Sequence, residues 1–320
     1  MRAAVVAELN GPDGVAIREV PDPTPAPGQV LIDVEYAGIS FPDVLQTRGE
    51  YQVRPELPFT LGWEISGVVR EDSGSFRAGE RVAALPFTGG VAESVVVDAN
   101  YVFPLPDSVS FATAAALPLN YLTAHFALVR RAKLQRGETV LVQGAAGGVG
   151  SASCNMAEVL GARVIAVVSS TEKVAIAEAA GAHNVVLADG FAAEVRQLTD
   201  GRGVDVIVDP VGGERFTDSL RSLAREGRLL VVGFAGGQIP VVKTNRLLLT
   251  NTTVMGAATR ELWNHEPEMP GRQWSELIHL LKSGVLDPVI GPQFSMERAA
   301  SAIRTIDERR AAGKVLVRIH

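Results

Sequence analysis

The sequence predicts an α/β protein that combines a doubly wound parallel sheet with a β-rich domain. Short apolar strands alternate with helices after residue 139, and the first of these strands runs into a glycine-rich turn. Before residue 104, short valine-rich segments are instead broken by Pro and Gly. Because 320 residues exceed what one hydrophobic core usually organises, we expect two domains: a β-rich one (1–119 and 261–320) and a parallel-sheet one (120–260).

The β-rich domain is predicted from strand-like segments that are separated by turn residues. Residues 1–6 have the composition of a first strand, and the clearest strands after them are 30–36, 68–70, 81–85 and 94–97. The frequent turns between them favour a distorted barrel. The last strand-like segment, 313–319, is predicted to return to this domain.

The parallel-sheet domain is predicted from regular alternation, after alanine-rich helices at 114–116 and 121–131. The six predicted strands are 139–143, 164–168, 185–187, 204–208, 228–232 and 253–256, and the helices between them are 149–160, 171–180, 191–198 and 214–224. Six strands with helical crossovers suffice for a doubly wound sheet. An amphipathic helix at 273–282 follows.

Composition argues against several classes of function. Lys and Arg number 30 and Asp and Glu number 36, so the net charge of −6 disfavours nucleic acid as a partner. No apolar run approaches the roughly 20 residues of a membrane span, and the first residues show no signal-peptide pattern. Cys154 is the only cysteine, so an intrachain disulfide is impossible. We therefore expect a cytoplasmic protein that acts on a small molecule.

The glycine-rich segment 144–150, G-A-A-G-G-V-G, has the pattern of a dinucleotide-binding turn between a strand and a helix. We expect Gly147 to let the backbone approach a pyrophosphate and Gly150 to let the helix pack closely on the strand. The start of the helix offers free N–H groups to the phosphates. The predicted cofactor-binding residues of this turn are Ala145, Ala146, Gly147, Gly148, Val149 and Gly150.

The end of the second strand of the sheet predicts which dinucleotide binds. Ser169, Ser170 and Lys173 stand where NAD-binding sheets carry an acid for the ribose hydroxyl. Two hydroxyls and an ammonium suit the 2′-phosphate of NADPH. The same residues could also be a serine cap and a solvated lysine on the next helix. Gly233 and Phe234, which follow the fifth strand, are further predicted cofactor contacts.

Further motifs with a recognisable pattern are Ser40-Phe41-Pro42-Asp43, Gly62-Trp63-Glu64, Asn120-Tyr121-Leu122-Thr123-Ala124, Asp209-Pro210-Val211-Gly212-Gly213 and Gly313-Lys314-Val315. With the glycine turn, they make essentially the whole chain resemble the zinc-free quinone oxidoreductases, the zeta-crystallin-like group of the medium-chain dehydrogenase/reductase superfamily. The resemblance implies a chaperonin-10-like catalytic domain and a Rossmann cofactor domain. It also implies NADPH-dependent reduction of quinones or activated alkenes, with Lys314 as a further cofactor contact.

The resemblance also implies that the protein works without zinc. In zinc-containing members a cysteine stands at the position of Ser40, and a G-H-E motif stands at that of Gly62-Trp63-Glu64. Trp63 is no metal ligand, and the five histidines show no ligand spacing. We therefore expect no metal site.

The resemblance implies a pocket whose predicted substrate-binding residues are Ser40, Phe41, Tyr51 and Trp63. Tyr51 is a candidate catalytic hydroxyl that could donate a proton, or it is a half-buried loop aromatic. Asp43 lies at the site, or it accepts local backbone N–H groups. Thr123 lies near the nicotinamide, or it only packs in its helix. These three are the candidate catalytic residues.

The leading functional hypothesis is an NADPH:quinone oxidoreductase. The alternatives are a 2-alkenal or 2-enoyl-thioester reductase on the same fold and a non-catalytic NADPH-binding protein. A homodimer is also expected, from the resemblance and because the apolar last strand of the sheet, 253–257, could pair with its twofold mate.

Overall fold

The computed structural model describes all 320 residues, which fold into two compact units. The β-rich unit contains Met1–Leu119, Pro267–Lys282 and Ile290–His320, and the parallel-sheet unit contains Asn120–Glu266 and Ser283–Val289. The first boundary falls after residue 119, where the sequence analysis placed it. Residues 261–266 and 283–289 lie in the parallel-sheet unit, although the sequence analysis assigned them to the β-rich domain.

Sixteen strands and eleven α-helices follow one another along the chain. The strands are β1 (Arg2–Val6), β2 (Val15–Glu19), β3 (Gln29–Ile39), β4 (Phe59–Thr60), β5 (Glu64–Val69), β6 (Arg81–Ala84), β7 (Ser94–Asp98), β8 (Val102–Pro104), β9 (Thr139–Gln143), β10 (Arg163–Val168), β11 (Asn184–Leu187), β12 (Val204–Asp209), β13 (Leu223–Val231), β14 (Thr253–Gly256), β15 (Ile290–Ser295) and β16 (Lys314–Arg318). The helices are α1 (Phe41–Thr47), α2 (Phe111–Ala114), α3 (Pro118–His125), α4 (Gly148–Val159), α5 (Val174–Ala179), α6 (Phe191–Leu198), α7 (Phe216–Ser222), α8 (Asn245–Thr250), α9 (Thr259–Trp263), α10 (Met269–Lys282) and α11 (Ala299–Asp307).

The β-rich unit is organised around β3. Its main sheet has the order β15-β16-β3-β5-β6-β8, and β7 also pairs with β3. Alternate residues of β3, Val30, Ile32 and Val34, are fully buried, as expected for side chains that point to one face of a sheet. They share a core with residues of β16 and α11, so the last strand of the chain completes a core that the first strands begin. A small second sheet has the order β2-β1-β4.

The parallel-sheet unit contains all six strands predicted for it. Their order is β11-β10-β9-β12-β13-β14, and every neighbouring pair is parallel. The doubly wound α/β prediction is therefore confirmed. The order of the strands reverses between β9 and β12, which is the point where ligands bind in open sheets of this kind. Every residue of β9 is buried, and the glycine turn follows β9 at the carboxyl edge of the sheet.

Several predicted helices have different bounds in the structure, and residues 223–224, predicted as the end of a helix, begin β13. The helix predicted over 121–131 is α3 up to His125 and a π-helix from Phe126 to Arg131. The helix predicted over 171–180 begins as a 3₁₀ turn, Thr171–Lys173, before α5. None of the helices combines the length and the apolar character that a membrane crossing requires.

Candidate cofactor and substrate sites

The glycine turn joins β9 to α4 through a tight backbone. Gly144 has a φ of 60°, which favours glycine, and its carbonyl accepts a hydrogen bond from the Gly147 N–H at 2.9 Å. Gly147 is the N-cap of α4 and has extended backbone angles. Its carbonyl accepts the N–H of Ser151 at 2.8 Å, which leaves the N–H groups of residues 148–150 without an acceptor in the helix.

Two glycines of this turn differ in what an added side chain would contact. A Cβ at Gly150 would lie 2.1 Å from the Gly144 carbonyl oxygen, so only glycine lets the helix pack this closely on the turn. A Cβ at Gly147 would meet nothing nearer than 3.4 Å, so the protein itself leaves this position clear. Ala145 and Ala146 are buried, whereas Gly147, Gly148 and Val149 are half-buried. The part of the turn that can reach a ligand is therefore the start of α4.

The end of β10 carries the predicted phosphate-binding residues on the surface. Ser169 is exposed, and Ser170 and Lys173 are half-buried. Ser170 makes no capping hydrogen bond with its side chain, so the alternative role as a helix cap is not formed. Its hydroxyl instead lies 3.3 Å from the Glu172 carboxylate. The sequence analysis overlooked Glu172, whose negative charge lies beside the predicted site for a phosphate.

The loops after β12 and β13 are hydrogen-bonded to each other at the same edge of the sheet, because the N–H groups of residues 235 and 236 donate to the carbonyls of residues 210 and 211 at 3.0 and 2.8 Å. One carboxylate oxygen of Asp209 accepts the N–H groups of Val211 and Gly212 at 2.9 and 2.8 Å. Burial raises the pKa of Asp209, and these two N–H groups act in the opposite direction. Gly233 and Phe234 are half-buried in the neighbouring loop. They therefore lie at the edge where the sequence analysis expected them.

Gln143, the last residue of β9, was not singled out from the sequence. It is fully buried, and its amide donates to the Ser219 hydroxyl at 3.1 Å. The oxygen of its side-chain amide, Oε1, is buried without a hydrogen-bond partner. A polar residue at the end of an otherwise apolar buried strand was the signal in the sequence that could have identified it.

In the β-rich unit, Lys314 forms a buried polar cluster with residues far away in the sequence. Its ammonium donates to the Ser40 hydroxyl at 2.6 Å and to the Ile39 carbonyl at 3.0 Å, and it forms an ion pair with Glu64. The Ser40 hydroxyl also lies 3.0 Å from the Glu64 carboxylate. The second Glu64 oxygen accepts the N–H of Leu119 at 2.8 Å.

This cluster revises the role predicted for Lys314. An ammonium has three N–H donors, and all three are used within the β-rich unit by a side chain that is only 3% exposed. Lys314 therefore has no donor left for a cofactor, and we reassign it from cofactor contact to support of Ser40 and Glu64. Ser40 itself is 7% exposed.

Asp43 takes the second of the two roles left open by the sequence. Its side chain is fully buried, and its two oxygens accept the Ser40 N–H at 2.8 Å and the Gly62 N–H at 3.1 Å. Burial raises the pKa of Asp43 to about 7, while the Ser40 N–H and the Lys314 charge act to lower it. Asp43 fastens the start of α1 to the segment before β5 and reaches no solvent.

The predicted aromatic pocket residues differ in exposure. Trp63 is only 2% exposed, and its indole N–H donates to the Gln46 side-chain oxygen at 2.8 Å. Tyr51 is half-buried, and its ring contacts the Trp63 ring edge to face, with 5.1 Å between the ring centres. Phe41 is half-buried against the core. Tyr51 and Phe41 can therefore contact a ligand, whereas Trp63 supports Tyr51 from beneath.

The remaining predictions concern Thr123 and metals. Thr123 is half-buried on α3, in the parallel-sheet unit. No group of three or more His, Cys, Asp or Glu side chains in the structure is arranged to hold a metal ion.

Comparisons with known proteins agree with this architecture. Two protein-family models match the sequence. The family of alcohol dehydrogenase GroES-like domains matches residues 26–107, and the family of zinc-binding dehydrogenases matches residues 148–283. Quinone oxidoreductase-like protein 2 of Bos taurus is 41% identical over 322 residues, with 99% of this chain and 92% of that protein covered.

Two solved structures resemble the whole chain. The quinone oxidoreductase of Thermus thermophilus, solved alone and with NADPH, is 35% identical with a TM-score of 0.87, and both chains are fully covered. A mycobacterial protein solved with NADPH is 32% identical with a TM-score of 0.92, again over both full chains. With these relatives and this fold, the chain belongs to the quinone oxidoreductase family of the medium-chain dehydrogenase/reductase superfamily.

Proposed function

We propose that the protein is a zinc-independent oxidoreductase that reduces quinones with NADPH. The observation that carries the proposal is the turn between β9 and α4. Gly150 lets α4 pack closely on the turn, and Gly147 has no side chain that would keep a ligand from the backbone. The similarity to a quinone oxidoreductase-like protein and to a quinone oxidoreductase solved with NADPH supports the choice of reaction.

The turn fits the pyrophosphate of a dinucleotide. The N–H groups of residues 148–150 lack an acceptor within α4, and a twelve-residue helix adds partial positive charge at the same point. Ser169, Ser170 and Lys173 would hold the 2′-phosphate through charge-assisted hydrogen bonds. Gly233 and Phe234, in the loop after β13, would contact the cofactor at the same carboxyl edge of the sheet.

In the β-rich unit, Tyr51 and Phe41 offer aromatic surface for a flat ring. Bound NADPH supplies the hydride, and a quinone accepts it without a Lewis acid because its oxygens already stabilise negative charge. With an alkenal, hydride transfer leaves an enolate, which is a stronger base than a hydroquinone anion. The Tyr51 hydroxyl would donate the proton that this enolate requires.

Ser40 and Trp63 stand at the metal-ligand positions of zinc-containing members. The Ser40 hydroxyl already accepts a hydrogen bond from the Lys314 ammonium, and the Trp63 indole is no metal ligand and donates to Gln46, so we propose no zinc site there.

Parallel assays of NADPH oxidation test the reaction, with ortho- and para-quinones, 2-alkenals and a crotonyl thioester as acceptors and with ethanol and NADP⁺ for the reverse direction. We expect quinones to be reduced and ethanol not to be oxidised. Tyr51→Phe should lose little activity with quinones and more with alkenals, where the enolate needs a proton. Faster turnover of alkenals or thioesters than of quinones would instead identify an alkene reductase. NADPH binding by calorimetry without any turnover would identify a non-catalytic binding protein.

We also propose that the protein is a homodimer. β14 pairs with β13 on one side only, so its other edge is open at the end of the six-stranded sheet. Large apolar side chains nearby in the sequence are exposed, among them Leu248 at 76% and Leu249 at 73%. An open edge strand beside exposed apolar residues is typical of a surface that pairs with a second copy.

A further inference from the structure

Asn120, which begins the sequence motif at residues 120–124, carries a buried amide that the protein itself does not satisfy. It is the third residue of α3, lies in the parallel-sheet unit and is only 3% exposed. Asn155 is the other buried asparagine of this unit, and its side-chain oxygen accepts the Tyr121 hydroxyl at 3.1 Å and the Asp287 N–H at 3.2 Å. The side-chain amide of Asn120 makes no hydrogen bond of this kind, although burial of an unpaired amide costs free energy.

The amide of Asn120 lies against the start of α4. A Cβ added to Gly148, the first residue of α4, would lie 2.7 Å from Nδ2 of Asn120 and 3.2 Å from its Cγ and Oδ1. Glycine at this position therefore makes room for the amide. Because the Cα–Cβ bond of a helical residue is tilted towards the N-terminus of its helix, the amide lies at the end of α4 that has free N–H groups.

The groups that meet at this point favour a ligand that only accepts hydrogen bonds. The N–H groups of residues 148–150 have no acceptor within α4, and the helix adds partial positive charge there. The amide of Asn120 contributes two further N–H donors. A pyrophosphate carries negative charge and several acceptor oxygens, so it can bond to the start of α4 and to this amide at once.

We propose that Asn120 is a further cofactor-binding residue, whose side-chain amide donates a hydrogen bond to the pyrophosphate at the start of α4. This inference rests on the proposed function, because it requires NADPH to bind at this turn. Gly148 and Asn120 then act as a pair, in which the glycine leaves space for the amide and the amide gains its partner from the ligand. NADPH and NADH share the pyrophosphate, so Asn120 acts on both cofactors alike, whereas Lys173 is proposed to act on NADPH alone.

Calorimetric titrations of Asn120→Ala with NADPH and with NADH test the contact. We expect the Kd to rise about ten- to a hundredfold for both cofactors, as for the loss of a hydrogen bond to a charged group. Asn120→Asp should weaken binding more than Asn120→Ala, because a carboxylate of nearly the same shape repels the pyrophosphate and donates no hydrogen bond. Without cofactor, Asn120→Ala should unfold at nearly the temperature of the wild type.

Asn155→Ala is the matched control, because it removes a buried amide whose hydrogen bonds lie within the protein. It should unfold at a lower temperature and bind NADPH nearly as the wild type does. The opposite pattern in Asn120→Ala and Asn155→Ala separates a contact with the cofactor from support of the fold.

Gly148→Ala tests the pair without altering Asn120, because its methyl group displaces the amide. It should weaken NADPH binding in the wild type but add little in Asn120→Ala. An equal loss in both backgrounds, an unchanged Kd in Asn120→Ala, or a greater loss in Asn120→Ala than in Asn120→Asp would overturn the inference while leaving quinone reduction intact. A wild type that binds no NADPH would overturn the proposed function, and this inference with it.

Discussion

Lys314 is a buried cation whose charge is balanced by Glu64. The ion pair determines how much the free energy of unfolding falls when either residue is replaced. Removing one partner of a buried pair leaves the other charge uncompensated. We predict that Lys314→Met lowers the free energy of unfolding by about 3–5 kcal/mol. The double variant Lys314→Met/Glu64→Gln should recover much of this loss, because no isolated charge then remains. Urea denaturation of the wild type, both single variants and the double variant measures the coupling.

Additive losses in the double variant would contradict this account of the cluster. They would mean that Lys314 stabilises the unit through its packing alone, and not through the charge of Glu64.

Asp43 should make stability depend on pH in a defined direction. Its pKa is about 7 in the folded protein, against about 4 in an unfolded chain. Between these values the folded state binds a proton that the unfolded state lacks, so rising pH lowers the free energy of unfolding by up to about 1.4 kcal/mol per pH unit. Well above pH 7, Asp43 is ionised in both states, so its contribution to the free energy of unfolding no longer changes with pH.

The variant Asp43→Asn does not titrate at this position. We therefore predict that the stability of the wild type relative to Asp43→Asn decreases from pH 4.5 to pH 7. Denaturation curves at several pH values measure this difference, in which titrations common to both proteins cancel. A constant difference over this range would show that Asp43 is ionised throughout.

Glu172 should oppose the phosphate that Ser170 and Lys173 are proposed to bind. Its carboxylate lies 3.3 Å from the Ser170 hydroxyl and is exposed to solvent. We predict that Glu172→Gln strengthens NADPH binding by about two- to fivefold, which corresponds to an exposed charge interaction of under 1 kcal/mol, and leaves NADH binding unchanged. Calorimetric titrations with both cofactors measure this, with Glu178→Gln on α5 as the control.

Lys173→Ala should have the opposite effect and weaken NADPH binding alone. Equal changes for NADPH and NADH in either variant would place the 2′-phosphate elsewhere.

At the scale of elements, the junction of β9 and α4 allows two glycines to be compared. Gly150→Ala places a Cβ 2.1 Å from a backbone oxygen, so α4 must shift away from the turn. We predict a loss of at least about 2 kcal/mol in the free energy of unfolding. Gly147→Ala meets no close atom and should fold with nearly wild-type stability but bind NADPH more weakly. Thermal unfolding and calorimetry separate the two effects, and equal destabilisation by both variants would contradict the assignment.

The elements of the parallel-sheet unit could be predicted because their signals are local. Each strand is a short apolar run, and the glycine turn lies within a single segment of the sequence. The Lys314 cluster could not be predicted in the same way. Lys314 and Glu64 are 250 residues apart in the sequence. The buried position of Trp63 depends on Gln46 and Tyr51, which only the folded chain brings to it.

At the scale of the whole molecule, the proposed dimer depends on the open edge of β14. We predict that light scattering gives twice the mass of 33.9 kDa at micromolar concentration. Leu248→Lys/Leu249→Lys should shift the protein towards monomer, because charged side chains at these exposed positions disfavour apolar association. Val285→Lys, at another exposed apolar position, is the matched control. Monomer mass for the wild type at every concentration would contradict the prediction.

The position of β16 beside β3 has a consequence for how the protein is made. A ribosome completes residues 120–266 before it reaches 290–320, yet β3 pairs with β16 in the finished sheet. The β-rich unit is therefore the first to be synthesised, but its sheet is completed only when β16 is made. The parallel-sheet unit can fold before that, during synthesis. Until β16 arrives, Ala37 and Ile39 of β3 lie on an unpaired edge. We therefore predict that, during translation, the nascent β-rich segment exposes an unpaired strand edge until β16 is made.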